Sequence, residues 1–246
     1  MDLNQINFHV IQQVDSTNKY AMEKVSEGLA NHLDAWYAIH QTDGKGQRLK
    51  NWQSNPGENI TFSVVIRPQH SLQKNPFLFN AFIALICRDF LAQLLQIDVK
   101  IKWPNDLFIN DKKAGGVLIE NRFSGENWKW AIVGIGINVN QVEFSENLIL
   151  ATSLKKETNL NFEPLQLAKL LHQDLFNSFE TTLINDTNVW ERYNQHLFKK
   201  GQHCQFKING IETNAAVSYV NDQGLLILLQ NGNENKYHSG EIEWIL

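Results

Sequence analysis

Cysteine, methionine and proline are scarce, with 2, 2 and 5 copies in 246 residues. Cys87 and Cys204 are far apart, and neither belongs to a pair-spaced motif, which excludes a disulfide framework and a cysteine-based zinc site. They read as reduced thiols, the usual state in the cytoplasm. An excess of positive charge is missing too. The net charge is -4, so nothing in the bulk electrostatics favours nucleic acid, and any basic site must be local. The N-terminus lacks a basic start followed by an apolar run, so no signal peptide is expected. No apolar run looks long enough to span a bilayer. No Gly-Lys-Ser/Thr closes a glycine loop, which excludes a Walker loop. No Ser-His-Asp order is apparent, and no covalent enzyme nucleophile is expected.

What remains is ordinary globular composition, 43% hydrophobic and 20% charged, and enough chain for one large or two unequal domains. Residues 7–14, 35–41 and 60–66 read as strands. A helix capped by Ser16 or Thr17 follows the first and stops near Gly28. Residues 77–95 are apolar on most faces, which predicts a buried central helix. Residues 114–122 and 130–138 read as strands joined by a polar turn. Residues 165–184 read as an amphipathic helix behind Pro164, and 188–197 as another. Past Gly201 the texture changes to short strands and turns, with Asn209-Gly210 and Asn231-Gly232 as hairpin signals. A second small β domain is expected there.

The chemistry concentrates between residues 102 and 120. Lys102-Trp103-Pro104-Asn105-Asp106 ends one strand and turns. Asn110-Asp111 makes a second turn, and Lys113 then stands just before Gly115-Gly116. Two ammoniums and a carboxylate suit a phosphate-bearing ligand and a metal, and paired glycines let a ligand lie against the backbone. A second locus is Gln41 followed by a glycine- and base-rich loop over residues 43–52, with Lys45, Gly46, Gln47, Arg48, Lys50 and Trp52. On composition alone an ordinary basic turn accounts for it; a phosphate-covering flap is the functional alternative. Ser16-Thr17-Asn18 is a helix cap whose hydroxyls and amide also offer donors and acceptors for a urea-like ring. Gly134-Ile135-Gly136-Ile137-Asn138 lacks the third glycine of a dinucleotide fingerprint and reads as close strand packing. Of the tryptophans, Trp52 is favoured over Trp103 and Trp128 as a site wall.

Taken in order, Ser-Thr-Asn, Gln-x-x-Gly-x-Gly-x-Arg…Trp, Lys-Trp-Pro-Asn-Asp, Lys-x-Gly-Gly-x-Leu-x-Glu and Gly-x-Gly-Ile-Asn resemble the motifs of biotin protein ligases. Ala151-Thr152-Ser153-Leu154 and Ser239-Gly240-Glu241-Ile242 continue the match. The resemblance implies an α+β fold: a mixed β-sheet with helices on one side, related to class II aminoacyl-tRNA synthetases, over residues 1–198. A small SH3-like β-barrel would follow over 199–246. It implies a monofunctional cytoplasmic enzyme, since no room precedes Asp15 for a winged-helix repressor domain. The implied substrates are biotin and ATP with Mg²⁺. The implied partner is a biotin carboxyl carrier protein, and nucleic acid and membrane are not partners. The implied biotin site is Ser16, Thr17, Asn18, Gln41, Lys45, Gly46, Gln47, Lys113, Gly115, Gly116, Gly134 and Gly136. The implied nucleotide site is Lys45, Arg48, Trp52, Lys102, Asn105, Asp106, Lys113 and Asn138, with Asp106 on the metal and Lys113, Arg48 and Lys102 as catalytic cations. Lys45, Gln47 and Leu49 depart from the commoner family pattern, so the phosphate-gripping arginine falls to Arg48 or Lys45. Two other readings stand beside this one. One is a lipoate ligase or octanoyl transferase, against which the missing Gly-Gly-Gly run and the position of Cys87 in a buried helix argue. The other is a non-catalytic biotin-binding module. A free edge along residues 130–138 is expected to pair two subunits or to receive a carrier domain.

Overall fold

The computed structural model describes residues 7–68, 75–181 and 186–246. In chain order come β1 (Phe8–Val14), α1 (Thr17–Ser26), β2 (Ala35–Gln41), β3 (Gly44–Lys45), β4 (Asn51–Trp52), β5 (Asn59–Ile66), α2 (Pro76–Leu95), β6 (Val99–Lys102) and β7 (Asp106–Ile109). Then follow β8 (Lys112–Ser124), β9 (Asn127–Asn138), α3 (Leu154–Thr158), α4 (Pro164–Thr181) and α5 (Asp186–Gln195). The C-terminal strands are β10 (His203–Ile208), β11 (Ile211–Val220), β12 (Leu226–Gln230), β13 (Asn233–Tyr237) and β14 (Ile242–Ile245). The helix expected over 165–184 ends at Thr181, and 182–184 lie outside the described residues.

The first sheet is mixed, with strand order β1-β2-β5-β9-β8-β7-β6. Only β1 and β2 run parallel; the other pairs are antiparallel. β5 is buried along its whole length because both of its faces are covered. Ile60, Phe62, Val64 and Ile66 join the main core under α2 and α4. Val65 joins Ala21, Trp36 and Ile132 in a smaller cluster under α1. The period-2 pleat thus sends Thr61, Ser63 and Val65 to the α1 face. The long helices share one face as the resemblance implied, while short α1 lies on the opposite face, beside the site.

Residues 130–138 do not form an edge. β9 pairs with β5 on one side and β8 on the other, so its backbone groups are already bonded and no strand can be added there. The expectation of an edge-mediated contact is corrected on this point. The long hydrophobic register of β9 marks a central strand, and sequence order does not reveal strand neighbours.

α2 starts where Asn75 accepts from the amides of Phe77 and Leu78, both at 3.1 Å, with Pro76 in the first turn. By length and composition alone it could cross a membrane, contrary to the sequence reading. Leu78, Phe79, Ala81–Cys87, Phe90 and Leu91 are instead buried in the core. Arg88, on its outer side, bonds the Val99 carbonyl at 2.8 Å.

The expected C-terminal β unit is present as five antiparallel strands in the order β13-β12-β11-β10-β14. Asn209-Gly210 and Asn231-Gly232 have positive φ at both positions, as two-residue hairpins of this twist require. The unit is docked rather than tethered. Trp103 donates to the Gly224 carbonyl at 3.1 Å. Asn194 and Val220 exchange hydrogen bonds at 2.7 and 2.8 Å. Phe206, Val217 and Leu228 belong to the same core cluster as the first sheet.

Candidate active site

A cavity of about 1000 Å³ opens between the α1 face of the large sheet, the hairpin β3–β4 and the end of the C-terminal sheet. One end is a buried polar floor. Ser16 caps α1, and the next two residues turn inward. The Thr17 amide and hydroxyl both donate to Gln41 Oε1, at 2.7 and 3.0 Å. Asn18 Nδ2 donates to Glu120 Oε2 at 2.7 Å. Ser63 Oγ lies 2.7 Å from Thr17 Oγ1 and 2.6 Å from Asn18 Oδ1. Each bond fixes a rotamer that solvent would otherwise scramble, so the floor is preorganised.

The wall beside it is glycine by necessity. A Cβ on Gly136 would stand 2.6 Å from the Trp52 ring, and one on Gly134 would collide with the Asn18 amide. The Trp52 ring therefore packs directly against β9 at Gly136, and its indole N–H is buried without a partner.

The other end is cationic. Register places Lys102 opposite Asp106, and Asp106 opposite Gly116. Lys113 Nζ sits 2.6 Å from Asp106 Oδ1. Lys102 is largely desolvated, which lowers its pKa; Asp106 opposes that shift, and Lys113 and Lys50 reinforce it. Three ammoniums around one carboxylate leave a net positive patch in a recess, where anionic ligands are held most strongly. Among the described residues no three His, Cys, Asp or Glu side chains gather as a metal site. Asp106 as a single carboxylate fits a Mg²⁺ that arrives on a triphosphate and takes most of its oxygens from phosphate and water.

The hairpin closes the top. Arg48 adopts a left-handed φ of 55°, and its guanidinium donates to Ser239 Oγ at 2.8 Å. Lys45 pairs with Asp43 at 2.6 Å. The 43–52 segment is thus a short two-stranded hairpin with a 3-10 turn at Gln47–Leu49, not a structureless loop.

Residues 10–138 match the model of the biotin/lipoate A/B protein ligase family. The chain belongs to that family. The Bacillus spizizenii bifunctional ligase/repressor BirA is 31% identical, over 96% of this chain and 74% of its own length. The Paracoccus denitrificans biotin–[acetyl-CoA-carboxylase] ligase is 36% identical over 53% of each chain. Among solved structures, the Aquifex aeolicus biotin protein ligase in complex with biotin and ATP superposes with a TM-score of 0.77 at 25% identity, covering 97% of this chain and 98% of that one.

For a ligase of this family the placement of the expected residues is informative. Ser16, Thr17, Asn18, Gln41, Lys45, Gly46, Gln47, Arg48, Trp52, Lys102, Asn105, Asp106, Lys113, Gly116, Gly134, Gly136 and Asn138 all line the one cavity. Gly115 does not. It pairs with Ile137 and packs towards the Gly136 carbonyl, because the pleat gives neighbouring glycines opposite faces. Asn105 and Asn138 use their amide donors on the Val117 and Thr152 carbonyls, so each also holds the backbone of the site. Trp128 lies in the core. Cys87 is fully buried, which pushes its thiol far above the ordinary value, so it offers no nucleophile. Sequence reasoning placed Lys50 and Glu120 inside its motifs without a role, and it missed Ser63 and, from the C-terminal sheet, Lys207, Glu243 and Trp244. A lone polar residue at an alternate position of an apolar strand was the available signal for Ser63. No local pattern marks the C-terminal residues.

Proposed function

We propose that the chain is an ATP-dependent ligase that activates biotin as biotinyl-5′-AMP and transfers the biotinyl group to a lysine of a carrier protein. The observation that carries this reading is the single cavity with a neutral hydrogen-bonding floor at Thr17, Asn18 and Gln41 and a cationic end at Lys102 and Lys113. A ureido ring needs one donor-rich and one acceptor-rich partner, and a carboxylate meeting a triphosphate needs cations. The catalytic part is assigned to residues 1–198 and the C-terminal β domain to 199–246.

In the first step the biotin carboxylate oxygen attacks the α-phosphorus of ATP. The bond to the bridging oxygen breaks, and pyrophosphate leaves with that electron pair. Lys113 and Lys102 hold the carboxylate and phosphate oxygens together, so repulsion between the two anions does not keep them apart. Asp106 is the residue that would hold a Mg²⁺ arriving with the nucleotide, and that ion would supply further charge neutralisation. In the second step a neutral carrier amine attacks the acyl carbon, AMP leaves and the nitrogen loses its proton. The hairpin with Arg48 and Trp52 covers the anhydride and keeps water from hydrolysing it.

The partner is proposed to be a biotin carboxyl carrier domain, and the enzyme is proposed to act in the cytoplasm. The test is pyrophosphate release from ATP with biotin, with lipoate and with neither, followed by an avidin blot of a carrier. Release and labelling only with biotin are expected. Release with lipoate alone would move the assignment within the family, and tight biotin binding with no release in any arm would reduce the chain to a binding module.

A further inference from the structure

Lys102 is held from both sides of the molecule. Its ammonium lies 5.6 Å from the centre of the Phe108 ring on β7 and 5.5 Å from that of Trp244 on β14, both within cation–π range. Phe198 contacts Phe108 at 4.7 Å and Trp244 at 5.8 Å between ring centres, and Trp244 meets Phe206 at 4.7 Å. The four rings form a bridge from the large sheet to the small one, with the cation resting on it. Trp244 lines the cavity, and its indole N–H is buried without a partner.

We propose that Trp244 is a positioning residue for adenylate formation, with its ring face holding the Lys102 ammonium against Phe108. This rests on the reading of the cavity as an adenylation site. A lysine stem has four rotatable bonds, and an ammonium that wanders loses its alignment with the α-phosphate. Asp106 from β7 attracts it, while Lys113 from β8 and Lys50 from the hairpin repel it; Lys207 and Glu243 line the same space from the C-terminal strands. In that crowded field two ring faces supply attraction that another carboxylate could give only by cancelling the charge the phosphates need. The small sheet therefore contributes to the chemistry of the first step, through a residue whose side chain never has to transfer a proton.

Two substitutions test the ring face. Trp244→Phe keeps one, and Trp244→Leu removes it. With biotin and ATP, the Leu variant is expected to lose about 30-fold in kcat for pyrophosphate release, the scale of a desolvated cation–π contact, with the KM for biotin unchanged. The Phe variant is expected to keep the wild-type kcat. Phe108→Leu opens the clamp from the other side and serves as the second variant should Trp244→Leu not fold by circular dichroism. Independently of turnover, reductive ¹³C-methylation should show the Lys102 methyl resonance, assigned by its loss in Lys102→Arg, ring-current shifted in wild type and moved towards the free-lysine position in either Leu variant. An unmoved Lys102 methyl resonance with a wild-type kcat overturns the proposal. Absence of pyrophosphate release from the wild type instead overturns the ligase reading and leaves the clamp to be judged by the methyl resonance alone.

Discussion

At the scale of single residues, the site divides into groups that face the ligand space and groups that hold them there. Lys113 is of the first kind. It is half-exposed and paired with Asp106, so Lys113→Ala removes a cation without opening the core. Pyrophosphate release should fall by about 10²–10³-fold, as when one transition-state donor is deleted, with the circular dichroism spectrum unchanged. A normal rate would remove Lys113 from the mechanism. Ser63 is of the second kind. It is completely buried and bonded to two residues of the floor. Ser63→Ala should cost about 1–2 kcal/mol in urea unfolding and weaken biotin binding by calorimetry; a change in neither would show the floor to be set by Gln41 alone.

At the scale of elements, the hairpin β3–β4 is positioned by what lies under and over it. Below, Trp52 rests on Gly136; above, Arg48 reaches Ser239. Gly136→Ala should lift the indole off β9, seen as a shift in tryptophan emission and a weaker affinity for ATP, while Gly125→Ala, at a turn with open space around it, gives neither. Arg48→Gly should detach the hairpin from the C-terminal turn. The intermediate then escapes before an amine arrives, and lysines of a bystander protein acquire biotin on an avidin blot. An unchanged labelling pattern would show that another group retains the adenylate. The helices were legible from their apolar faces, from the Ser16 cap and from Pro164, since caps and first-turn prolines act locally. The hairpin was not, because two-residue strands carry no periodicity to read.

At the scale of the whole molecule, pH acts through groups that folding takes out of water. His172 on α4 is buried, donates from Nε2 to the Leu33 carbonyl at 2.7 Å, and packs on the Phe8 ring. Burial lowers its pKa from 6.5, opposed by the Leu33 bond and by Asp34. Above 6.5 both folded and unfolded histidine are neutral and no stability depends on it. As pH falls below that value the unfolded chain binds the proton first, so stability drops until the folded group also charges. The melting temperature of the wild type should therefore fall more steeply from pH 7 to 5 than that of His172→Gln. Equal slopes would place the acid sensitivity elsewhere.

The sequence by itself determined the helices, the longer strands, the Asn-Gly turns and the chemical inventory of the site, because caps, Asn-Gly pairs and alternation act over a few residues. It also carried the family, through five short motifs in order. Only the tertiary structure decided which neighbour each strand takes, which of Gly115 and Gly116 faces the cavity, and that β9 is central rather than an edge. It alone brought Trp244 to Lys102, residues far apart in the chain. Such contacts are set by how two sheets dock, and docking depends on the summed burial of side chains from the whole chain, which no local stretch encodes.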